Sequence, residues 1–370
     1  MSQYKQLSIF IDCHVFDGTF QGTTTYLKGI YTEMVKNKGI NFYFAALDII
    51  HLEKIFGTAP NINYLQYKNH NKFYRLLFDI PAMIKQHKID YAHFQYVVPP
   101  IKHCKYIVTL HDVIFMEHPE FVPAGYRIKN NILFKWSAKK ADILLTISEY
   151  SKAQIKKHFG LVADAITINT AEDIFFEPYD KPAVQKQVAA RFDFSNYLIF
   201  VSRWEPRKNH HGLLKAFAQG EFYKNYHLVF VGDDAIKNAE YEALYASLPP
   251  QVTQKVVCLR KVGFADLLLL VRGASLSVYP SFAEGFGISP LEAVAAGIPV
   301  ACSGATAMAD FTFLSNTLFD PHSTNDMIAK INIALTTDNS GVAGALKQKY
   351  SWANAAGVLQ SLLKPSVQKN

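Results

Sequence analysis

Apolar residues along this chain fall into short continuous blocks, and between the blocks the apolar positions recur with a helical period. Blocks of this kind read as strands buried on both faces, as in a parallel sheet covered by helices. The first block is residues 7–12. A loop holding Gly18 and Gly22 follows, and then a helical pattern over 24–36 that stops at Gly39. Further strand blocks lie at 41–48, 61–67, 90–96, 106–110, 142–147 and 165–170. Residues 172–182, EDIFFEPYDKP, are acidic, carry two prolines and show no period, so they read as a linker. The pattern then restarts, with strand blocks at 197–203, 227–232, 256–262, 276–279, 299–302 and 317–319, and helical stretches at 209–218, 327–335 and 350–363. The alternation predicts an α/β chain of two Rossmann-like domains, each a doubly wound parallel sheet, over 1–175 and 183–350.

The chemistry concentrates in residues 278–303, VYPSFAEGFGISPLEAVAAGIPVACS. After the strand, Gly285 and Gly287, on either side of Phe286, allow a sharp backbone turn. Ser289, Pro290 and Glu292 fit N-cap, N1 and N3 of a helix, and Gly297 fits its stop. A helix start behind a glycine loop, at the carboxyl end of a parallel strand, binds anions through free N–H groups and the helix dipole. Glu284 and Glu292 bracket the loop. Glu292 has a second reading as a capping-box glutamate, and Glu284 as a solvated surface acid. Upstream, Arg203 and Lys208 lie across a Pro206 turn that can aim both cations into one pocket, the alternative being a solvated basic turn; Arg207 is expected to point the other way. In the first half, the block YIVTLHD ends in His111 and Asp112 at the edge where open α/β sheets bind ligands; the other reading of His111 is a histidine that merely caps the strand end, with Asp112 simply orienting the ring.

Residues 202–209, SRWEPRKN, and the 278–303 stretch together resemble the sugar-nucleotide site of retaining glycosyltransferases of family 4, which have the GT-B fold: two Rossmann-like domains facing a cleft. The resemblance implies that Glu284 faces the donor sugar and Glu292 holds the ribose hydroxyls. It implies that the amides of the Gly285-Phe286-Gly287-Ile288 loop hold the distal phosphate, and that Arg203 and Lys208 neutralise the pyrophosphate. It further places His111 by the donor sugar, Gly22 by the donor phosphates and the backbone of Lys261 and Val262 at the base, and packs a last helix, 352–365, back on the first domain. Two positions depart from the pattern. Gly22-Thr23-Thr24-Thr25 stands where members carry a Gly-Ile-Gly-Arg type of turn, and Arg260 stands where a glycine is usual. The implied reaction is transfer of a hexose with retention, to a saccharide or lipid-linked saccharide acceptor. The nearest likeness is to bacterial mannosyltransferases of surface-polysaccharide assembly, which favours GDP-mannose over UDP-hexoses. A sugar-nucleotide epimerase or phosphorylase of the same architecture, and a degenerate non-catalytic transferase subunit, are the rival readings.

Bulk properties narrow this picture. At 370 residues and 49% hydrophobic composition the chain suits two globular domains, and no apolar run approaches the roughly 18 residues of a membrane span. The apolar run before Asp12 is too short for a signal peptide. Cys13, Cys104, Cys258 and Cys302 lie far apart, which fits a reducing cytoplasm and argues against a zinc site. The net charge of +7 sits mostly in residues 1–175, with 20 Lys/Arg against 15 Asp/Glu. Without a groove-binding motif this does not indicate nucleic acid, but it suits peripheral contact with an anionic membrane face, as does the mixed basic and apolar segment 72–88, which Pro81 interrupts and whose other and favoured reading is a core-packed helix. No cofactor and no metal are expected, because no two aspartates stand in a D-x-D spacing and the remaining histidines show no ligand spacing.

Overall fold

A computed structural model describes residues 6–18, 22–236, 238–337 and 341–364. The chain divides into two compact units, one joining Met1–Asn169 to Ser351–Asn370 and the other formed by Thr170–Tyr350.

The first unit is built on seven strands: β1 (Leu7–Asp12), β2 (Ile40–Ala46), β3 (Ile62–Gln66), β4 (Tyr91–Gln95), β5 (Lys105–Thr109), β6 (Ile143–Thr146) and β7 (Ala165–Ile166). They lie in the order β3-β2-β1-β4-β5-β6-β7, all parallel. Ile9, Phe10 and Ile11 on successive positions of β1 are all fully buried, so both faces of the sheet are covered, as the continuous apolar blocks require. Helix α1 (Gly22–Met34) follows β1 and packs against the C-terminal helix Trp352–Leu362. Their contact is close because Gly29 has no side chain: a Cβ there would stand 2.1 Å from the Trp352 indole. The chain end is also tied to β4, where the Tyr91 hydroxyl donates to Lys364 O at 3.3 Å and accepts from Lys364 N at 3.1 Å.

The second unit carries β8 (Tyr197–Val201), β9 (His227–Val231), β10 (Val256–Leu259), β11 (Leu276–Tyr279), β12 (Val300–Ser303) and β13 (Leu318–Phe319), in the order β10-β9-β8-β11-β12-β13 and again all parallel. Each sheet therefore reverses direction of build once, at β1/β4 and at β8/β11. At such a switch point the flanking connections leave to opposite faces and open a crevice at the carboxyl ends of the strands. Among the described residues no helix is long and apolar enough to cross a membrane.

Two expectations need correction. Residues 170–175 cluster with the second unit, because Phe175 is fully buried with its ring 6.1 Å from Phe264 and the Arg272 guanidinium donates to Ile174 O at 2.5 Å. The last strand of the first unit is two residues long, because past Ile166 the side chains turn to other partners, with Thr167 Oγ1 bonded to the Tyr26 hydroxyl at 2.7 Å and Thr170 Oγ1 donating to Tyr350 O at 2.8 Å.

Candidate active site

At the β8/β11 switch point the two segments that follow these strands are stitched together. After β8 the chain makes a 3₁₀ turn, Pro206–Lys208, and Asn209 then takes a left-handed conformation (φ +59°) to cap helix α2 (His210–Gln219). The Asn209 side chain accepts from Gly212 N at 2.9 Å and donates to Pro280 O at 3.2 Å and Pro321 O at 3.0 Å. One residue pair further, Phe282 N donates to Arg207 O at 2.8 Å. A buried amide with this many partners cannot rotate, so the turn and the loop after β11 hold a fixed spacing.

That spacing places Glu284 between two cations. Lys208 Nζ donates to its Oε1 at 2.5 Å and Arg207 Nη1 to its Oε2 at 3.1 Å. Burial by itself would raise the Glu284 pKa, but Lys208 and Arg207 outweigh it and lower it to about 2. Burial depresses the Lys208 pKa, the Arg207 charge adds to that, and Glu284 opposes both. The loop is pinned from the other side as well, where Glu284 N donates to Thr306 Oγ1 at 2.9 Å.

Helix α3 (Ile288–Ala295) starts from Gly287, not from Ser289. Gly287 has φ +100°, a conformation that needs glycine, and a Cβ there would also come within 3.0 Å of Met308. Among the described residues no side chain caps this helix, so its first N–H groups are left without a side-chain acceptor. The small cavity in front of them, about 40 Å³, is lined by Ser202, Lys208, Tyr279, Glu284, Gly287 and Ser289 among others. Because the helix begins at Ile288, Glu292 sits on its second turn and cannot act as a capping-box residue at N3. Its carboxylate has no ion pair or hydrogen bond among the described residues, and burial, with the Glu172 charge, raises its pKa to about 7.

In the first unit His111 follows β5. It is only 4% exposed, and its Nε2 donates to Gln95 Oε1 at 2.6 Å. A polar chain continues inward: Gln95 Nε2 lies 3.3 Å from His93 Nε2, and His93 also meets Thr109 Oγ1 and the Tyr31 hydroxyl, each at 2.8 Å. Burial lowers the pKa of both histidines to about 3, so the chain is neutral at ordinary pH. Gln95 therefore orients the His111 ring, the role expected of Asp112, whose Oδ1 instead accepts from Ile114 N at 3.2 Å.

Comparison with known proteins bears on what this edge does. Residues 21–169 match the family model described as Glycosyltransferase Family 4, and residues 183–359 match Glycosyl transferases group 1. The chain is 26% identical over 358 residues to the O-antigen chain mannosyltransferase B of Escherichia coli, covering 87% of this chain and 91% of that one. It is 28% identical over 198 residues to the O-antigen chain mannosyltransferase RfbU of Salmonella typhimurium, about half of each chain. A sucrose-phosphate synthase structure from Thermosynechococcus elongatus superimposes with a TM-score of 0.75 at 15% identity, covering 96% of this chain and 98% of that one. The chain belongs to the GT-B glycosyltransferases.

In this glycosyltransferase the residues expected from sequence divide into groups. Lys208, Glu284, Gly287 and Ile288 come together at the switch point, with Glu292 one helical turn behind. Arg203 does not join Lys208 on Glu284: its side chain is half exposed and lies 3.6 Å from Glu205, while Arg207 takes the place next to Glu284. The reason is the 3₁₀ turn, which carries residue 207 round to the side of residue 205, so that Arg207 Nε donates to Glu205 Oε2 at 2.8 Å. An acid two residues before an arginine with proline between them was the available signal. The Phe286 ring is buried against Phe311 and Tyr350, which leaves only its backbone for a ligand, and Gly285 does not share the positive φ of Gly287. The N–H of Lys261 is already donated to Asp233 Oδ1 at 2.7 Å. Arg260 stacks 4.4 Å over Trp204 and bonds Asp234, in a separate cavity of about 370 Å³ that touches neither glutamate. Gly22 opens α1, and residues 19–21 before it lie outside the described residues.

The ion pairs of Glu284 carry a pH dependence. Its folded pKa is depressed, so their contribution is present above the unfolded value near 4.5 and is lost as pH falls toward about 2. Glu284→Gln leaves two shielded cations without their carboxylate and is expected to cost about 3 kcal/mol at pH 7, less at acid pH. Urea denaturation at a series of pH values checks this, and a pH-independent difference between the two proteins would contradict it.

Proposed function

We propose that the glycosyltransferase moves mannose from GDP-mannose to a saccharide or lipid-linked saccharide acceptor, with retention at the anomeric carbon and without a divalent metal. The observation that carries this reading is the uncapped start of α3 facing Lys208 and Glu284 at the switch point: an anion site with a carboxylate beside it. Two relatives named as O-antigen mannosyltransferases favour mannose, and with it GDP-mannose, over the UDP-hexoses.

The donor diphosphate sits on the α3 amides, with Lys208 and Arg203 supplying positive charge. In the reaction the bond from C1 to the phosphate oxygen breaks, the acceptor oxygen bonds to C1 on the same face, and the departing phosphate takes the acceptor proton. Negative charge grows on the leaving phosphate, so fixed donors and cations there act mainly in the transition state. Glu292 takes the ribose hydroxyls, and the polar chain ending in His111 serves the donor sugar. His111 does so as a neutral imidazole.

We further assign peripheral contact with the inner face of the membrane to the first unit. Lys72–Tyr74, Arg75–Asp79 and Ile80–Gln86 form one helical run with a π turn in the middle. Leu76, Ile80 and Ile84 are buried on one side, while Phe73 (69% exposed), Phe78 (59%), Leu77 and Tyr74 stand out beside Lys72. Aromatic side chains next to lysine suit an anionic bilayer surface.

Three tests follow the reading. Turnover of GDP-mannose is expected to survive excess EDTA and to fall by about 10²–10³-fold in Lys208→Ala or Arg203→Ala. Loss of activity in EDTA that magnesium restores would remove the metal-free mechanism, and unchanged turnover in both variants would remove the two cations. Because burial holds Glu292 partly protonated near pH 7, while ribose hydroxyls prefer the carboxylate, GDP affinity is expected to rise with pH up to and through neutrality, by up to about tenfold per pH unit on the acid side. Glu292→Gln is expected to weaken GDP by about 1.5–3 kcal/mol above pH 8 and to abolish the dependence; calorimetric titration giving parallel curves for the two proteins would refute the ribose assignment. Finally, the protein is expected to float with anionic liposomes at low salt, and Phe73→Ser with Phe78→Ser to stay at the bottom; equal flotation of both would clear this segment of the role.

A further inference from the structure

Lys208 and Arg207 hold the same carboxylate but are not equivalent. Among the described residues the Lys208 ammonium has Glu284 as its single hydrogen-bonded side-chain partner, and it lines the cavity in front of α3. Arg207 does not line it and is tied down from several directions. Its Nη1 donates both to Glu284 Oε2 at 3.1 Å and to Ala283 O at 2.8 Å, its Nε donates to Glu205 Oε2 at 2.8 Å, and its own carbonyl accepts from Phe282 N at 2.8 Å. A planar guanidinium held at this many points keeps its place, whereas an ammonium on a four-carbon stem with one partner is free to turn.

Resting on the sugar-nucleotide reading above, we propose that Arg207 is a positioning residue: it keeps Glu284 ionised and aimed at the cavity while Lys208 swings from that carboxylate to the donor diphosphate. One ammonium cannot neutralise the carboxylate and the diphosphate together, and without a second cation the arriving phosphates would leave Glu284 shielded from water and unpaired. The groups facing Glu284 are Lys208, Arg207 and, through Arg207, Glu205 from the turn after β8, Ser281 from its own loop, and Cys302 from β12, which burial keeps protonated. Arg207 is thus the one cation among them that a bound diphosphate does not compete for.

The test is Arg207→Gln, with Arg207→Lys beside it, each checked for folding by circular dichroism. For Arg207→Gln the expected result is GDP affinity close to wild type, kcat lower by about tenfold or more, and an acid limb of the kcat–pH profile moved up toward neutrality, because Glu284 now takes up a proton when Lys208 leaves it. Arg207→Lys is expected to restore part of the rate and the original limb. Glu205→Gln, which frees the Arg207 Nε, is expected to shift the limb in the same direction by less. A wild-type pH profile in Arg207→Gln, or a loss of rate matched by loss of GDP affinity with the limb unmoved, overturns the proposal; if Arg207→Gln does not fold, a wild-type kcat in Arg207→Lys together with an unmoved limb in Glu205→Gln overturns it. Failure of the underlying reading looks different: the wild-type protein itself would then release no nucleotide from any sugar nucleotide.

Discussion

A carboxylate shielded from water must be paired, and the pairing of Glu284 with Lys208 and Arg207 organises the carboxyl edge of the second sheet. The two cations lie 76 and 77 residues before it in sequence. Removing one side of such a pair costs far more than its formation gains, because the remaining charge is left shielded and alone. The two segments after β8 and β11 therefore have to meet with little tolerance. The hydrogen bonds of Asn209 to Pro280 and Pro321, and of Phe282 to Arg207, are how the backbone meets that demand. The cavity, the open helix start and the direction of Lys208 all follow from that closure.

Within one loop and one helical turn the fold drives two glutamates in opposite directions. Glu284, between two cations, stays ionised far below neutral pH, whereas Glu292, shielded from water and with no ion pair or hydrogen bond among the described residues, has its pKa raised to about 7. Opposed environments of this kind divide labour between like side chains. One carboxylate is a permanent charge beside the open helix start, and the other stands close to the midpoint of its titration at neutral pH. The glycine that starts α3 contributes by what it lacks, since a side chain at Gly287 would strain the turn and press on Met308, while the helix start carries no side-chain cap among the described residues. The first unit uses a different device: a neutral chain of Tyr31, His93, Gln95 and His111 holds a buried imidazole by hydrogen bonds rather than by ion pairs.

The architecture was legible in the amino-acid order because it rests on local patterns. Continuous apolar blocks predicted strands within a few residues of those observed, and β1 and β11 coincide with residues 7–12 and 276–279. The glycine loop, the two glutamates and Lys208 were legible because a strand, a turn and a helix start are written consecutively. Ends of elements were less so, since they depend on which partner takes the next hydrogen bond. β10 stops at Leu259 because Lys261 turns to φ +51° and gives its N–H to the Asp233 side chain, a residue 28 positions away.

Sequence by itself thus determined the alternation of strands and helices, the parallel doubly wound class of both halves and the chemical types gathered after the strands, since all of these follow from periodicity and from short runs of adjacent residues. Tertiary structure decided which side chains touch. It turned Arg207 rather than Arg203 toward Glu284, gave the His111 ring to Gln95 instead of Asp112, laid Arg260 on Trp204, and started α3 one residue before the expected cap. It also set the charge states, because a carboxyl's pKa depends on burial and on neighbours brought in from other strands, and neither is encoded by the residues next to it in the chain.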